Sequence, residues 1–226
     1  MKNGKERKTY RVRRMSNHRE SGKGESGAVL PSEAWVQAEV LTDFSFPWSK
    51  MSVPETVFRA LWDDERFCFR FEVTDRDVVL EEGGNTMEKV IGSDRVEIFF
   101  TTGDDLDPYY GLEIDPRGEV LAYETRHHRQ FNWDWSCPGL EVWSELTEKG
   151  YRVEGVIPLG TFRTLGCLHE RNGCVFLQAG LFRAEFSHGS GNEPVIEDWI
   201  SWVDPGGETP DFHVPSAFGV LNFEAA

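Results

Sequence analysis

From residue 34 to the C-terminus the apolar positions recur mostly with a period of two. In Arg66–Val73, the side chains of Phe67, Phe69, Phe71 and Val73 fall on one face and those of Arg66, Cys68, Arg70 and Glu72 on the other. Successive side chains of a strand point to opposite sides, so this run predicts a half-buried strand. Thr56–Trp62 has the same grain, and the polar Asp63-Asp64-Glu65 between the two runs predicts a tight hairpin. Further strands are read at Arg95–Thr101, Tyr109–Asp115, Glu119–Thr125, Leu140–Leu146, Tyr151–Ile157, Val175–Phe186 and Phe218–Phe223. Turns fall at Asp115-Pro116-Arg117-Gly118 and Glu148-Lys149-Gly150, where Pro presets φ and Gly accepts a positive one. Helical sequence is limited to a turn at Asp75–Val79 and to Leu159–Leu165, just after Pro158. About ten strands, hairpin turns and no long amphipathic helix predict an all-β fold, a two-sheet antiparallel β-sandwich of the jelly-roll or immunoglobulin-like kind. No internal repeat and no second hydrophobic block follow a linker, so residues 28–226 read as one domain.

Charge separates the N-terminus from this body. Residues 1–24 carry a net charge of +7 and the remaining 202 residues a net of −22, giving −15 for the chain. Few residues before position 27 can be buried, so 1–27 reads as a basic flexible tail, a solvated arm or one that docks onto an acidic surface. The acidic balance opposes binding to nucleic acid or to anionic lipid, both polyanions. No run approaches the roughly 20 apolar residues of a membrane span. Charges recur up to Arg14, leaving no secretory hydrophobic core, so localisation stays open: cytoplasmic as written, secreted if the sequence begins after a removed signal peptide. Four cysteines in 226 residues make no disulfide framework. Free thiols are expected, with Cys167 and Cys174 the candidate pair if one bridge forms. Oligomeric state is left open.

Among chemistry-bearing patterns, the nucleophile elbow, the Walker loop, the zinc-protease helix and the dinucleotide glycines are all missing. Asp104, Asp105 and Asp107 place three carboxylates within four residues, and with backbone carbonyls they could hold a calcium ion, which takes six to eight oxygens. Glu97 with Glu113 or Glu154 could form the carboxylate pair of a glycoside hydrolase. Tryptophans are concentrated at Trp133-x-Trp135 and at Trp199-x-x-Trp202. An indole left wet commonly marks a binding surface. Its natural complement is a sugar, with C–H faces for the ring and hydroxyls for flanking charged groups.

Several segments in order resemble the family 9 carbohydrate-binding modules. They are Phe46-Pro47-Trp48, the Phe58–Val73 strand pair, Asp94-Arg95-Val96-Glu97-Ile98-Phe99-Phe100, Tyr110–Gly118, Tyr151–Pro158, Leu181–Glu185, and Trp199-x-x-Trp202 through Phe218-Gly219. The resemblance implies a β-sandwich that binds mono- or oligosaccharides without catalysis, requires no cofactor, carries structural calcium and serves polysaccharide breakdown. By motif, Glu97 matches the strand carboxylate that contacts sugar and Trp202 the C-terminal stacking tryptophan. Glu113 and Arg183 are placed near the same pocket, with Trp199 and His213 as adjacent candidates. The family's other stacking tryptophan falls within Met87–Ser93, where this chain has no aromatic, so Trp133, Trp135 or Tyr110 would have to replace it. The competing readings are a glycosidase built on the Glu pair and an interaction module with a degenerate pocket.

Overall fold

The computed structural model describes residues 7–15, 29–189 and 196–225. Its thirteen strands form two layers. In the first sheet the order is β7 (Gln130–Asn132), β6 (Val120–Arg126), β5 (Tyr109–Ile114), β4 (Arg95–Thr101), β11 (Cys174–Ser187) and β13 (Gly219–Phe223). Two further strands, β10 (Leu168–Arg171) and β12 (Ile196–Ser201), flank opposite halves of the long β11. The second sheet runs β2 (Thr56–Trp62), β3 (Arg66–Thr74), β9 (Gly150–Pro158) and β8 (Glu141–Thr147).

The two layers are joined by β1 (Thr9–Arg14), which lies parallel to β13 on one side and to β2 on the other. The sandwich is therefore mixed at this seam and antiparallel elsewhere among the described residues. Here the expected flexible tail is corrected. Residues 9–14 alternate Tyr10 and Val12, both buried, with Arg11 and Arg13 facing outward. Tyr10 donates its hydroxyl to the Glu39 carbonyl at 2.7 Å and accepts the Ala60 amide at 2.9 Å. Cations in and just before the strand meet acidic partners, Lys8 on Asp43 at 2.8 Å and Arg14 on Asp64 at 2.5 Å. The rest of the expected tail, 1–6 and 16–27, lies outside the described residues.

The alternation read from the sequence sets the inter-sheet core. Phe58, Phe67, Phe69, Phe71 and Val153 of the second sheet meet Ile98, Phe100, Leu112, Leu181 and Leu221 of the first. Burial of this many large apolar side chains, at about 25 cal/mol per Å² of surface removed from water, is the main stabilising force. All four cysteines are free, Cys167 buried and Cys174 exposed. Two short helices punctuate the strands, α1 (Thr86–Ile91) and α2 (Leu159–Leu165). The sequence reading missed α1. The Asn85 side chain accepts the Glu88 amide and the Glu88 side chain accepts the Asn85 amide, a reciprocal cap that starts the helix directly after Gly83-Gly84.

Candidate functional site

The first sheet is covered on both faces. Even-numbered residues of β4 enter the inter-sheet core, while Arg95, Glu97, Phe99 and Thr101 point to the other side, as do Tyr109 and Glu113 of β5 and Tyr123 of β6. The chain after β12 folds back over this outer face. Phe212 stacks on Phe182 with centroids 4.1 Å apart, and Trp48 donates its ring N–H to the Gly207 carbonyl at 2.9 Å. Asp211 ties this cover to the β6–β7 hairpin by accepting from Arg129 at 2.9 Å, with His128 Nε2 at 3.1 Å. Between cover and sheet lies a cavity of about 420 Å³, within the 300–1,000 Å³ typical of small-molecule sites.

Its floor is charged. Glu97 and Glu113 are directly opposed across β4 and β5. Arg95 lies between them, its Nε 2.7 Å from Glu113 Oε2 and 3.0 Å from Glu97 Oε1. Nε carries one hydrogen, which it donates to Glu113, and Tyr123 donates its hydroxyl to the other Glu113 oxygen at 2.9 Å. Glu113 is thus served twice. Glu97 is 2% exposed, and its Oε1 accepts no hydrogen bond. Burial, and then the neighbouring Glu113 charge, raise the Glu97 pKa to about 8.

The walls are aromatic. Trp199 lies against Phe212 at 5.7 Å, edge to face, with the Arg95 guanidinium 5.4 Å from its ring. Across the cavity, Trp133 is 43% exposed and stacks on Phe131 at 4.5 Å and 17°. Tyr123 meets the same indole edge to face at 5.2 Å. Ile91, at the end of α1, supplies an aliphatic wall and is 45% exposed. His213 also lines the cavity, its Nδ1 2.7 Å from the Tyr109 hydroxyl. Burial lowers its pKa to about 4, so the ring is neutral near pH 7.

Of the candidate residues, the structure places Glu97, Glu113, Trp199 and His213 around one cavity and separates Trp202 and Arg183 from them. Trp202 is 1% exposed and part of the inter-sheet core. A Cβ on Gly219 would lie 2.6 Å from its ring. Trp199 and Trp202 are three residues apart around a strand end, so they face opposite sides, and only Trp199 reaches the cavity. Arg183 pairs with Val96, not with Glu97, in the β4–β11 register, and it points between the sheets. There it donates to Asp75 at 3.3 Å and the Thr74 carbonyl at 3.2 Å, and contacts Glu185.

The expected metal loop is also corrected. Asp104 is bound by Arg7 at 2.8 Å and Asp107 by Arg126, and the three carboxylates do not converge. Among the described residues, convergence within 4.8 Å is found instead at Asp75, Asp94 and Glu185. Arg183 already places its charge among these groups, and Asp94 accepts the Val79 and Phe186 amides. A calcium ion needing six or more oxygens does not fit this cluster while that guanidinium holds its place. The third carboxylate of the hydrolase reading, Glu154, lies in the other sheet and is fully buried in an ion pair with Arg70.

The sequence reading did not single out Arg95, Tyr123, Arg129, Phe131 or Asp211. Arg95 was accessible to it, being two residues from Glu97 and so on the same strand face. The approach of Asp211 to Arg129 spans 82 residues and left no local signal. Of the candidate replacements for the missing tryptophan, Trp133 lines the cavity. Trp135 and Tyr110 pack on each other at 4.9 Å, away from it.

A β-sandwich with a charged, aromatic-walled cavity on the outside of one sheet is the build of a small-ligand binding module. Comparison with known families makes the class specific. The model of the carbohydrate family 9 binding domain-like family matches residues 27–226, and the chain belongs to that family. It is a binding module, not an enzyme. Among solved structures, one described as a "putative carbohydrate-binding protein" from Bacteroides uniformis ATCC 8492 aligns with a TM-score of 0.70 at 20% identity, covering 96% of this chain and 100% of that one. A family 9 module from Caldicellulosiruptor kristjanssonii in complex with glucose aligns with a TM-score of 0.60 at 17% identity, covering 97% of each chain. The structure with cellotriose from the same organism gives 0.57 at 17% identity, over 97% of this chain and 95% of that one. No curated protein sequence matches.

Proposed function

We propose that this chain holds a mono- or oligosaccharide in the cavity on the outer face of the first sheet, with a pyranose ring against Trp199 and Trp133. One observation carries the reading. A buried carboxylate, Glu97, which shares the single Nε hydrogen of Arg95 with Glu113, lines a cavity walled by two partly exposed indoles. A buried acceptor left short of a donor costs roughly 1–3 kcal/mol, recovered when a ligand supplies the donor. A sugar offers that donor on its rim and apolar C–H faces for the indoles. The Caldicellulosiruptor structures with glucose and cellotriose support the ligand class, and a role beside polysaccharide breakdown follows from it. In this reading Trp133, from the segment after β7, replaces the aromatic wall that α1 lacks, and Ile91 fills the remaining gap. Calorimetric titration with glucose and cellotriose tests the proposal. Binding should be measurable, and Trp199→Ala should weaken it at least about tenfold, roughly 1.4 kcal/mol. Wild-type affinity in a folded Trp199→Ala variant would place the ligand elsewhere.

A further inference from the structure

The charges on the cavity floor do not balance. Two carboxylates, Glu97 and Glu113, are opposed by one guanidinium, that of Arg95. Arg95 spends its Nε hydrogen on Glu113 and donates from a terminal nitrogen to the Ile91 carbonyl at 3.1 Å. Arg129, the other cation lining the cavity, is paired with Asp211 at the rim. His213 is neutral near pH 7, Tyr123 is a phenol held to Glu113, and Phe182 of β11 faces Glu97 across the register. The floor therefore carries one negative charge in excess whenever Glu97 is ionised, and that charge is buried, with a half-share in one guanidinium.

A neutral hydroxyl leaves Glu97 to be neutralised by its own proton. An ammonium can replace that proton and balance the charge directly. We infer that the cavity prefers a sugar bearing a free amino group, a 2-amino-2-deoxyhexose residue, whose ammonium sits on Glu97 while the ring faces Trp199 and Trp133. The inference rests on the sugar-binding reading and adds the ligand's charge. Indole faces attract cations, which adds to the preference. The net charge of −22 on residues 25–226 draws a cationic glycan toward the protein. Because Glu97 titrates near 8 in the free protein, it holds a proton at neutral pH. Binding of the ammonium leaves a carboxylate–ammonium pair and releases that proton to solvent, whereas a neutral sugar requires no release.

The test is calorimetric titration of the wild-type chain with D-glucosamine, N-acetyl-D-glucosamine and D-glucose, at about pH 6.5, where an amine of this kind is charged. Two buffers of different ionisation enthalpy report the proton. Glucosamine is expected to bind about tenfold more tightly than either neutral sugar and to release close to one proton, with no release for the other two. In Glu97→Gln, glucosamine should bind no more tightly than glucose. Equal or weaker binding of glucosamine by the wild type, or a preference that persists in a folded Glu97→Gln, overturns the inference and leaves sugar binding intact. Failure of all three sugars, and of cellotriose, overturns both.

Discussion

The outer faces of the two sheets carry the same motif with opposite outcomes. On the second sheet Arg70 and Glu154 face each other across β3 and β9, and the guanidinium lies 4.6 Å from the Trp35 ring. On the first sheet Arg95 sits beside Glu97 and Glu113, 5.4 Å from the Trp199 ring. The difference lies in matching and cover. Glu154 receives two hydrogen bonds from Arg70, at 2.9 and 2.6 Å, and a third from the Val29 amide at 3.1 Å. Trp35, in a short 3₁₀ turn, seals it. On the first sheet one guanidinium serves two carboxylates, and the cover stops short, leaving a cavity. A buried Arg–Glu pair with both carboxylate oxygens answered is a structural device. The same pair with a surplus carboxylate under a cavity is a place for a ligand.

The contrast breaks most visibly at its sealed end. Glu154→Ala strands a buried Arg70 and should destabilise the fold by about 3–5 kcal/mol, read from urea denaturation. A loss below about 1 kcal/mol would mean that the closed pair is not the structural device described. Glu97→Ala removes a carboxylate that only shares a guanidinium and leaves Arg95 paired with Glu113, so it should change stability by far less. At the open end, Trp199→Ala should weaken sugar binding by about 10–100-fold and Trp133→Ala by about tenfold, roughly 1.4–2.7 kcal/mol across the two, measured by titration. Equal affinities in wild type and Trp133→Ala would assign the second wall to Ile91 alone.

Acidity sharpens the comparison further. Burial raises Asp94 to about 7 and Glu97 and Glu185 to about 8, all above their unfolded values. The folded state then binds more protons than the unfolded chain, so these groups favour folding at low pH and lose that contribution as pH rises through 7 to 8. His213, lowered to about 4, acts in the opposite sense, and its contribution is lost as pH falls from 6.5 toward 4. Stability should therefore rise from pH 8 down to about 6.5. Glu97→Gln should flatten part of that slope. Smallest is the rim. Arg129→Ala breaks a half-exposed pair with Asp211 and should cost at most about 1 kcal/mol of stability, with a few-fold change in affinity.

Much of this was legible in the sequence, for a physical reason that also marks where it stopped. Strand alternation in Arg66–Val73 and Arg95–Thr101 assigns faces without knowledge of the partner, so the sandwich and the common side of Arg95 and Glu97 follow from local pattern. Which face stays wet depends on the cover, supplied by residues around 203–218. That dependence is why Glu97 reads as solvent-facing by alternation and is buried in the fold. It also explains the exchange of roles between the two tryptophans. Opposite faces were predictable for Trp199 and Trp202, but which face held the core was not. Arg183 failed through register, since one step along β11 moves a side chain from the cavity side to the space between sheets. For β1, the alternation of Tyr10 and Val12 with arginines was visible, but charge-rich composition outweighed it. The Asn85–Glu88 cap of α1 was visible too, in a segment that buries only Val90.

The most direct measurement is a crystal structure of this chain grown with cellotriose or a glucosamine oligomer. A pyranose ring should lie against Trp199 and Trp133, with a ligand donor within about 3 Å of a Glu97 carboxylate oxygen. A sugar ordered on any other surface, with water alone above Glu97, would contradict the assignment of the site.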